Sequence, residues 1–171
     1  NARLQGARSM KDLKTYMLNV GLTNEQLKAK KTYIGGSSAK DLAEGKWDKL
    51  YNRIIHDKGE DLSKIFKVQL GHITEEFNLT WFADMMDFDL PDKITTKALR
   101  HPTYPYIGCL PDAIMTKENG RKVVIDAKHT TAKAPWWNEQ KLAEYYFPQA
   151  QHNMLATGIH SFYLSVIFGN E

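Results

Sequence analysis

The stretch RKVVIDAKHT, Arg121 to Thr130, alternates so that its side chains sort onto two faces. In an extended strand Val123, Ile125 and Ala127 point one way and Val124, Asp126 and Lys128 the other. The first face is core; an acid and a base leave from the second. Upstream, Pro111-Asp112 sits in another strand-like run, and Glu118-Asn119-Gly120 lies between the two, so the whole reads as a β-hairpin. A plain two-residue turn at Asn119-Gly120 sets Asp112 opposite Ala127, with its carboxylate on the wrong face. A three-residue loop, Glu118 to Gly120 with the glycine left-handed, pairs Asp112 with Asp126 and Leu110 with Lys128. The three-residue loop is the expectation. Two carboxylates and a lysine gathered this way fit a divalent-metal site with an ammonium over a reacting oxygen. The plainer alternative is a surface hairpin with solvated charges.

A chain of 171 residues is expected to form one domain able to bury about two-thirds of its unfolded surface. The single cysteine, Cys109, excludes a disulfide framework, a cysteine-based zinc site and a four-cysteine iron–sulfur cluster, and points to a reducing, cytoplasmic setting. No apolar run has membrane length and no secretory leader is visible. The first residue is not Met and the chain stops just after an apolar strand, so truncation is expected. A net charge of +3 does not by itself indicate nucleic-acid binding. Its distribution says more. Lys28, Lys30 and Lys31 precede a Gly-Gly-Ser-Ser turn, and acids gather around residues 57–61 and 84–92. A basic patch near an acidic centre suits an enzyme that cuts a polyanion.

Residues 9–20 read as a helix stopped at Gly21, and Thr23 with Gln26 forms a capping box for the next. A turn and short helix ending at Gly45 follow, then a longer helix whose Trp47, Leu50, Tyr51, Ile54 and Ile55 have the spacing of a core face. Residues 70–86 form a helix apolar on two sides, Leu70, Ile73, Phe77 and Trp81 in one stripe and Leu79, Phe82 and Met86 in another. Glu75 falls on the second stripe, where a carboxylate is costly unless paired or metal-bound. Glu75, not Glu76, is therefore the candidate third acid; the alternative is a partly exposed glutamate at the margin of a core helix.

Strands are expected near residues 95–100, 106–115 and 122–129, and a loop with Trp136 and Trp137 is expected to pack on the core, the alternative being that the pair stacks on unpaired bases at a frayed end. A helix over residues 139–157, with Pro148 as a place to break, is closed by Gly158 and followed by a strand over 161–168. On that helix Gln151 shares a face with Phe147, Met154 and Leu155 and is expected inward, Gln149 outward. The order of elements is that of an α/β domain, helical over about residues 1–90, with a mixed sheet and flanking helix over 91–171.

These pieces resemble the PD-(D/E)xK nucleases, and within them the YqaJ-like viral recombinases that include the bacteriophage lambda exonuclease. Ile34-Gly-Gly-Ser-Ser38 is similar to the family's Ile-Gly-Gly/Ala-Ser turn, and Gly71-His-Ile-Thr-Glu75 to its Gly-xxx-Glu helix. Leu110-Pro-Asp-Ala113 stands where the family has Ser-Pro-Asp-Gly, Asp126-Ala-Lys128 where it usually has Glu-x-Lys, and Gln149-Ala-Gln151 resembles its Gln-x-Gln helix. The resemblance implies a restriction-endonuclease-like core in which Glu75, Asp112, Asp126 and the Ala127 carbonyl bind one or two Mg²⁺ or Mn²⁺ ions. It also implies that Lys128 positions or deprotonates water or offsets phosphate charge, and that Gln151 orients water or lysine.

Ser37 and Ser38 either cap the helix that follows or, with Lys30, take a terminal 5′-phosphate. Lys30 stands where the lambda type has arginine, Asp126 shortens the acid arm, and Ala113 and Leu110 replace Gly and Ser. His72 and His129 flank the acids without belonging to the pattern. The implied function is a Mg²⁺-dependent exonuclease acting 5′ to 3′ on double-stranded DNA ends in phage recombination. A single-strand annealing protein is the implied partner, a ring-shaped homotrimer the implied assembly, and the host cytoplasm the implied location. The competing readings are an endonuclease on the same fold and a non-catalytic DNA-end-binding module.

Overall fold

The computed structural model describes residues 23–56, 62, 64–89, 98–131 and 138–169. The helix expected over residues 9–20, the first part of the strand expected from 95, and the Trp136-Trp137 pair fall outside them. Thr23 opens α1 (Asn24–Lys30) with the expected capping box: Thr23 Oγ1 accepts the Gln26 N–H at 3.2 Å, and Gln26 Oε1 accepts the Thr23 N–H at 2.7 Å. A 3-10 turn, Gly36–Ser38, leads into α2 (Ala39–Ala43), which stops before Gly45 at φ +74°. In α3 (Asp48–Ile55), Leu50 is buried and Ile54 half-buried, whereas Tyr51, Ile55 and the preceding Trp47 are exposed. The core face expected there is thus one i, i+4 pair wide, because Tyr51 and Ile55 lie a further 100° round the helix.

The long helix α4 (Phe66–Met86) lays Leu79 and Ala83 on the sheet, with Phe82 at the margin. Phe77 and Trp81 stack on each other at 6.2 Å and stay largely exposed, so the stripe through them does not enter the described core. Asp87, left-handed at φ 53°, ends α4 and turns the chain into β1 (Phe88–Asp89). The strand expected over 106–115 is two strands, β3 (Gly108–Cys109), paired with β2 (Leu99–Arg100), and β4 (Ala113–Lys117). Pro111 separates them. It has no N–H to give a ladder, so the chain changes sheets there.

The main sheet has the order β1-β4-β5-β6, with β5 (Lys122–Thr131) antiparallel to β4 and parallel to β6 (Phe162–Gly169). It is a mixed sheet flanked by helices, as the sequence led one to expect. The β4–β5 loop has the length that the chemistry required. Lys117 N–H bonds Arg121 O at 2.9 Å, Gly120 N–H bonds Lys117 O at 2.8 Å, and Gly120 sits at φ +77°. With Ala113 opposite Ile125, the next residue back, Asp112, lies opposite Asp126. Val123 and Ile125 join Ala113, Met115, Leu79 and Ala83 in the core under α4. The other face lies under α5 (Glu139–Thr157), the crossover helix of a β5-α5-β6 unit, which runs unbroken through Pro148 to left-handed Gly158.

Asn78 ties α4 to the two parallel strands. This buried amide donates to Lys128 O at 3.3 Å and Ser165 O at 3.2 Å, and accepts from Ser165 Oγ at 2.5 Å. Asn78→Ala leaves two carbonyls and a hydroxyl without these partners, and is expected to cost about 3 kcal/mol, read as a lower urea midpoint at unchanged m.

Candidate active site

The site forms where one strand outlasts its neighbour. The β4 ladder stops at Ala113, opposite Ile125, while β5 continues to Thr131 paired with β6. The Ala127 N–H beyond that point is taken by a side chain instead, Asp112 Oδ2 at 2.7 Å. The Ala127 carbonyl leaves the strand on the same side as its N–H and so faces the same gap. Lys128 Nζ reaches back to Asp112 Oδ2 at 3.6 Å and Asp126 Oδ2 at 3.4 Å, with the Tyr146 ring centre 5.8 Å away.

Asp126 is 1% exposed, and its Oδ2 also accepts a short hydrogen bond from Gln149 Nε2. Burial pushes its pKa up to about 6; Lys128 opposes the rise and the Asp112 charge adds to it. Glu75, on the turn of α4 before Asn78 and Leu79, has a side chain about one-third exposed. Burial, then the charges of Asp112 and Asp126, push its carboxyl up to about 7 against the pull of Lys128. For Lys128 burial disfavours the ammonium, but Asp112 and Asp126 outweigh it and hold the pKa above the usual lysine value. The centre thus has three carboxylates within electrostatic reach and one lysine among them.

Carboxylate oxygens and a carbonyl are the donors a hard divalent cation takes, and Asp112, Asp126, Glu75 and Ala127 fit it in kind. Among the described residues no three acid, histidine or cysteine side chains converge on one point, and Lys128 Nζ lies 3.6 Å from Asp112 Oδ2 and 3.4 Å from Asp126 Oδ2. His72 Nδ1 lies 4.0 Å from Glu75, and His129 Nδ1 bonds Thr74 Oγ1 at 3.0 Å. Cys109 is buried beneath the site, its thiol pushed up to about 12 by burial, and is no nucleophile.

Gln151 requires correction. It is exposed, and Gln149 is the glutamine that meets the acids. The inward face of α5 runs through Leu142, Tyr146, Gln149, Asn153 and Ala156, spaced four and three residues apart. The more apolar face, with Phe147 and Leu155, is exposed. Burial there follows what the helix lies on, a carboxylate and the Gly-Gly-Ser turn, rather than greatest hydrophobicity. A Cβ at Gly36 would lie 2.2 Å from Asn153 Oδ1, so glycine is what lets the turn reach α5. The 4-3-4-3 spacing was the available signal.

That turn is held against the same frame. Ile34 bridges Ile107, and the His152 Nε2–H is shared by Ile34 O and Gly108 O, each at 2.9 Å. Ser37 is exposed and Ser38 half-buried, and the Ser38 hydroxyl does not cap α2. Lys30, at the end of α1, has its pKa lowered by burial and by the charges of Arg53 and Lys128, while Asp112 raises it; it therefore stands within reach of the acid centre.

Residues 25–160 match the model of the YqaJ-like viral recombinase domain, a span that takes in every residue described above from Lys30 to Gln151. The chain belongs to the YqaJ-like viral recombinase family. This family member is similar in fold to the crystal structure of LHK-Exo in complex with dAMP, with a TM-score of 0.62 and 16% identity over 84% of this chain and 73% of that one. It is also similar to the alkaline exonuclease LHK-Exo from Laribacter hongkongensis, at TM-score 0.62 and 15% identity over 85% and 74% of the chains. The structure of SSO0001 shares the fold at TM-score 0.52 and 12% identity, over 93% of this chain and 74% of that one. No curated protein matches this chain.

Both raised carboxyls favour their protonated forms in the native state, so their contribution is present below an unfolded pKa of about 4 and lost as pH climbs through about 6 and 7. Lys128 stays charged throughout this window. The metal-free protein is therefore expected to show a lower Tm at pH 8 than at pH 5.5, with the difference reduced in Asp126→Asn. A Tm that rises over the interval would contradict these shifts.

Proposed function

We propose that this recombinase-family chain is a divalent-metal-dependent deoxyribonuclease, an exonuclease that removes one strand of linear duplex DNA from its 5′ end. The observation that carries this reading is the Asp112, Asp126 and Lys128 cluster at the open end of the β4–β5 ladder, with the Glu75 carboxyl within its electrostatic reach. Family membership and a fold like that of an alkaline exonuclease support it. Mg²⁺ or Mn²⁺, one ion or two, when held by Glu75, Asp112, Asp126 and the Ala127 carbonyl, would supply Lewis-acid stabilisation of charge on the scissile phosphate.

The protein's own groups have distinct tasks. Asp112 is aimed by the Ala127 N–H and Asp126 by the Gln149 amide, so neither carboxylate swings freely. Lys128, close to both carboxylates, would offset charge on a phosphate oxygen, or position or deprotonate the attacking water. Lys30, Ser37 and Ser38 lie on the segment fastened to α5 and β3 and would receive the terminal 5′-phosphate. Assembly as a homotrimer around the duplex, a single-strand annealing partner and action in the host cytoplasm belong to the same proposal. Among the described residues no helix is long and apolar enough to cross a membrane.

A linear duplex with one labelled strand, in Mg²⁺, should lose that strand from its 5′ end, while a closed circle stays intact; nicking of the circle would identify an endonuclease instead. Lys128→Ala is expected to lower cleavage by about 10³-fold or more with DNA-end binding retained, and undiminished cutting would overturn the site. Gln149→Ala should cost on the order of 10–100-fold in kcat, whereas Gln151→Ala should stay within about twofold.

A further inference from the structure

Between β2 and β3 the chain runs through His101-Pro-Thr-Tyr-Pro-Tyr106, and three of its rings form a row. The His101 and Tyr104 rings stack with centres 5.1 Å apart and planes 27° apart, and the Tyr106 ring follows 6.0 Å from Tyr104. Both spacings are those of aromatic rings in contact. Yet Tyr104 is 48% and Tyr106 55% exposed, so much of the row stays open to solvent.

The loop is fastened without the phenol groups. His101 Nδ1 accepts the Thr103 and Tyr104 N–H groups, each at 3.1 Å, and the His101 N–H bonds Ile107 O at 3.0 Å. Ile107 N–H bonds Tyr104 O at 2.8 Å, and Arg100 Nη1 donates to Pro105 O at 2.8 Å and Thr32 O at 3.0 Å. Pro102 and Pro105 fix two more φ angles. Ile34 N–H bonds Tyr106 O at 2.7 Å, which ties the row to the segment leading into the Gly-Gly-Ser turn. Tyr106 also precedes Asp112 by six residues, a span of about 20 Å at most. The rings are thus held in place near the acid centre, and a ligand that meets them has little left to order.

We propose that the His101–Tyr104–Tyr106 row is a stacking platform for unpaired bases of the 3′-ended strand that the enzyme spares. The choice of ligand rests on the nuclease reading. Every base has a π-face, so rigid exposed rings take a single strand with little regard for its sequence. The strand under attack ends in the acid centre, so the bases free to lie on rings outside that centre belong to the other strand. Holding them there would keep the duplex end open for the next cut.

The test is binding, in Ca²⁺, of labelled duplexes that are blunt, carry a short 3′ oligo-dT tail or carry a 5′ tail. The proteins are the wild type, the double variant Tyr104→Ala with Tyr106→Ala, and the double variant Tyr104→Phe with Tyr106→Phe, with Tm recorded for each. The alanine pair is expected to weaken binding of the 3′-tailed duplex by about tenfold or more, and of the other two by less than about twofold, at unchanged Tm. The phenylalanine pair keeps the π-faces and should bind as the wild type does. A 2-aminopurine placed in the 3′ tail should be quenched on binding the wild type and not the alanine pair. Unchanged affinity of the alanine pair for the 3′-tailed duplex overturns the proposal, and so does an unchanged 2-aminopurine signal with the wild type. A loss confined to the 5′ tail overturns it too, as does an equal loss on every duplex with a fall in Tm, which marks the row as structural. If the wild type cuts nothing in Mg²⁺ yet binds the 3′ tail through these rings, the nuclease reading fails and the platform stands; cutting by a wild type whose affinity ignores them gives the converse.

Discussion

One peptide N–H organises the centre of this protein. Where β4 turns away at Pro111, the Ala127 N–H on β5 loses the backbone partner that an ordinary ladder provides, and the Asp112 carboxylate replaces it. A buried donor without a partner is costly, so the replacement is enforced rather than incidental. It also places a carboxylate at the gap beside β5 into which the Ala127 carbonyl points, within reach of Lys128. Pro111 is the reason the gap exists, and the paired β6 strand is the reason β5 survives past it.

Asp126 and Lys128 illustrate how a costly arrangement is held. A buried carboxylate and a half-buried ammonium gain less from each other than both lose on leaving water unless further groups bond them. Gln149 supplies one such group for Asp126, and Asp112 a second counter-charge for Lys128. Asn78 fixes the backbone of Lys128 from the opposite side of the sheet. Burial first, and the repulsion of neighbouring carboxylates second, raise Glu75 and Asp126 well above ordinary carboxylates. Such excess negative potential is what a divalent cation relieves, and it is why the donor set reads as a place for one despite the lysine lying across it.

Much of this was legible in the chain. The Thr23–Gln26 capping box, the Gly158 stop and the parity of the Glu118–Gly120 loop are short-range matters, in which a few neighbouring residues decide hydrogen bonds and φ angles. The loop parity alone put Asp112 opposite Asp126. The resemblance of five short motifs to the viral recombinases agreed with the family match over residues 25–160. Less legible was the exposure of Trp47, Tyr51, Phe77 and Trp81, whose apolar character suggested core. Their spacing shows that Trp47 shares a face with Tyr51, and Phe77 with Trp81, and nothing local says whether a neighbour covers either face.

The hairpin register, the faces of β5 and the helix stops at Gly45 and Gly158 were readable from the chain alone, because these follow from side-chain period and turn geometry within a few residues; the start of α4 was not, since it lies at Phe66 rather than 70. Long-range packing settled that residues 106–115 split between two sheets and that Gln149 rather than Gln151 meets Asp126. Each of those depends on which surface a distant element presents. A helix turns toward the partner that fits its shape and polarity, here a carboxylate and a glycine turn, and not toward the side on which its own apolar residues are most numerous.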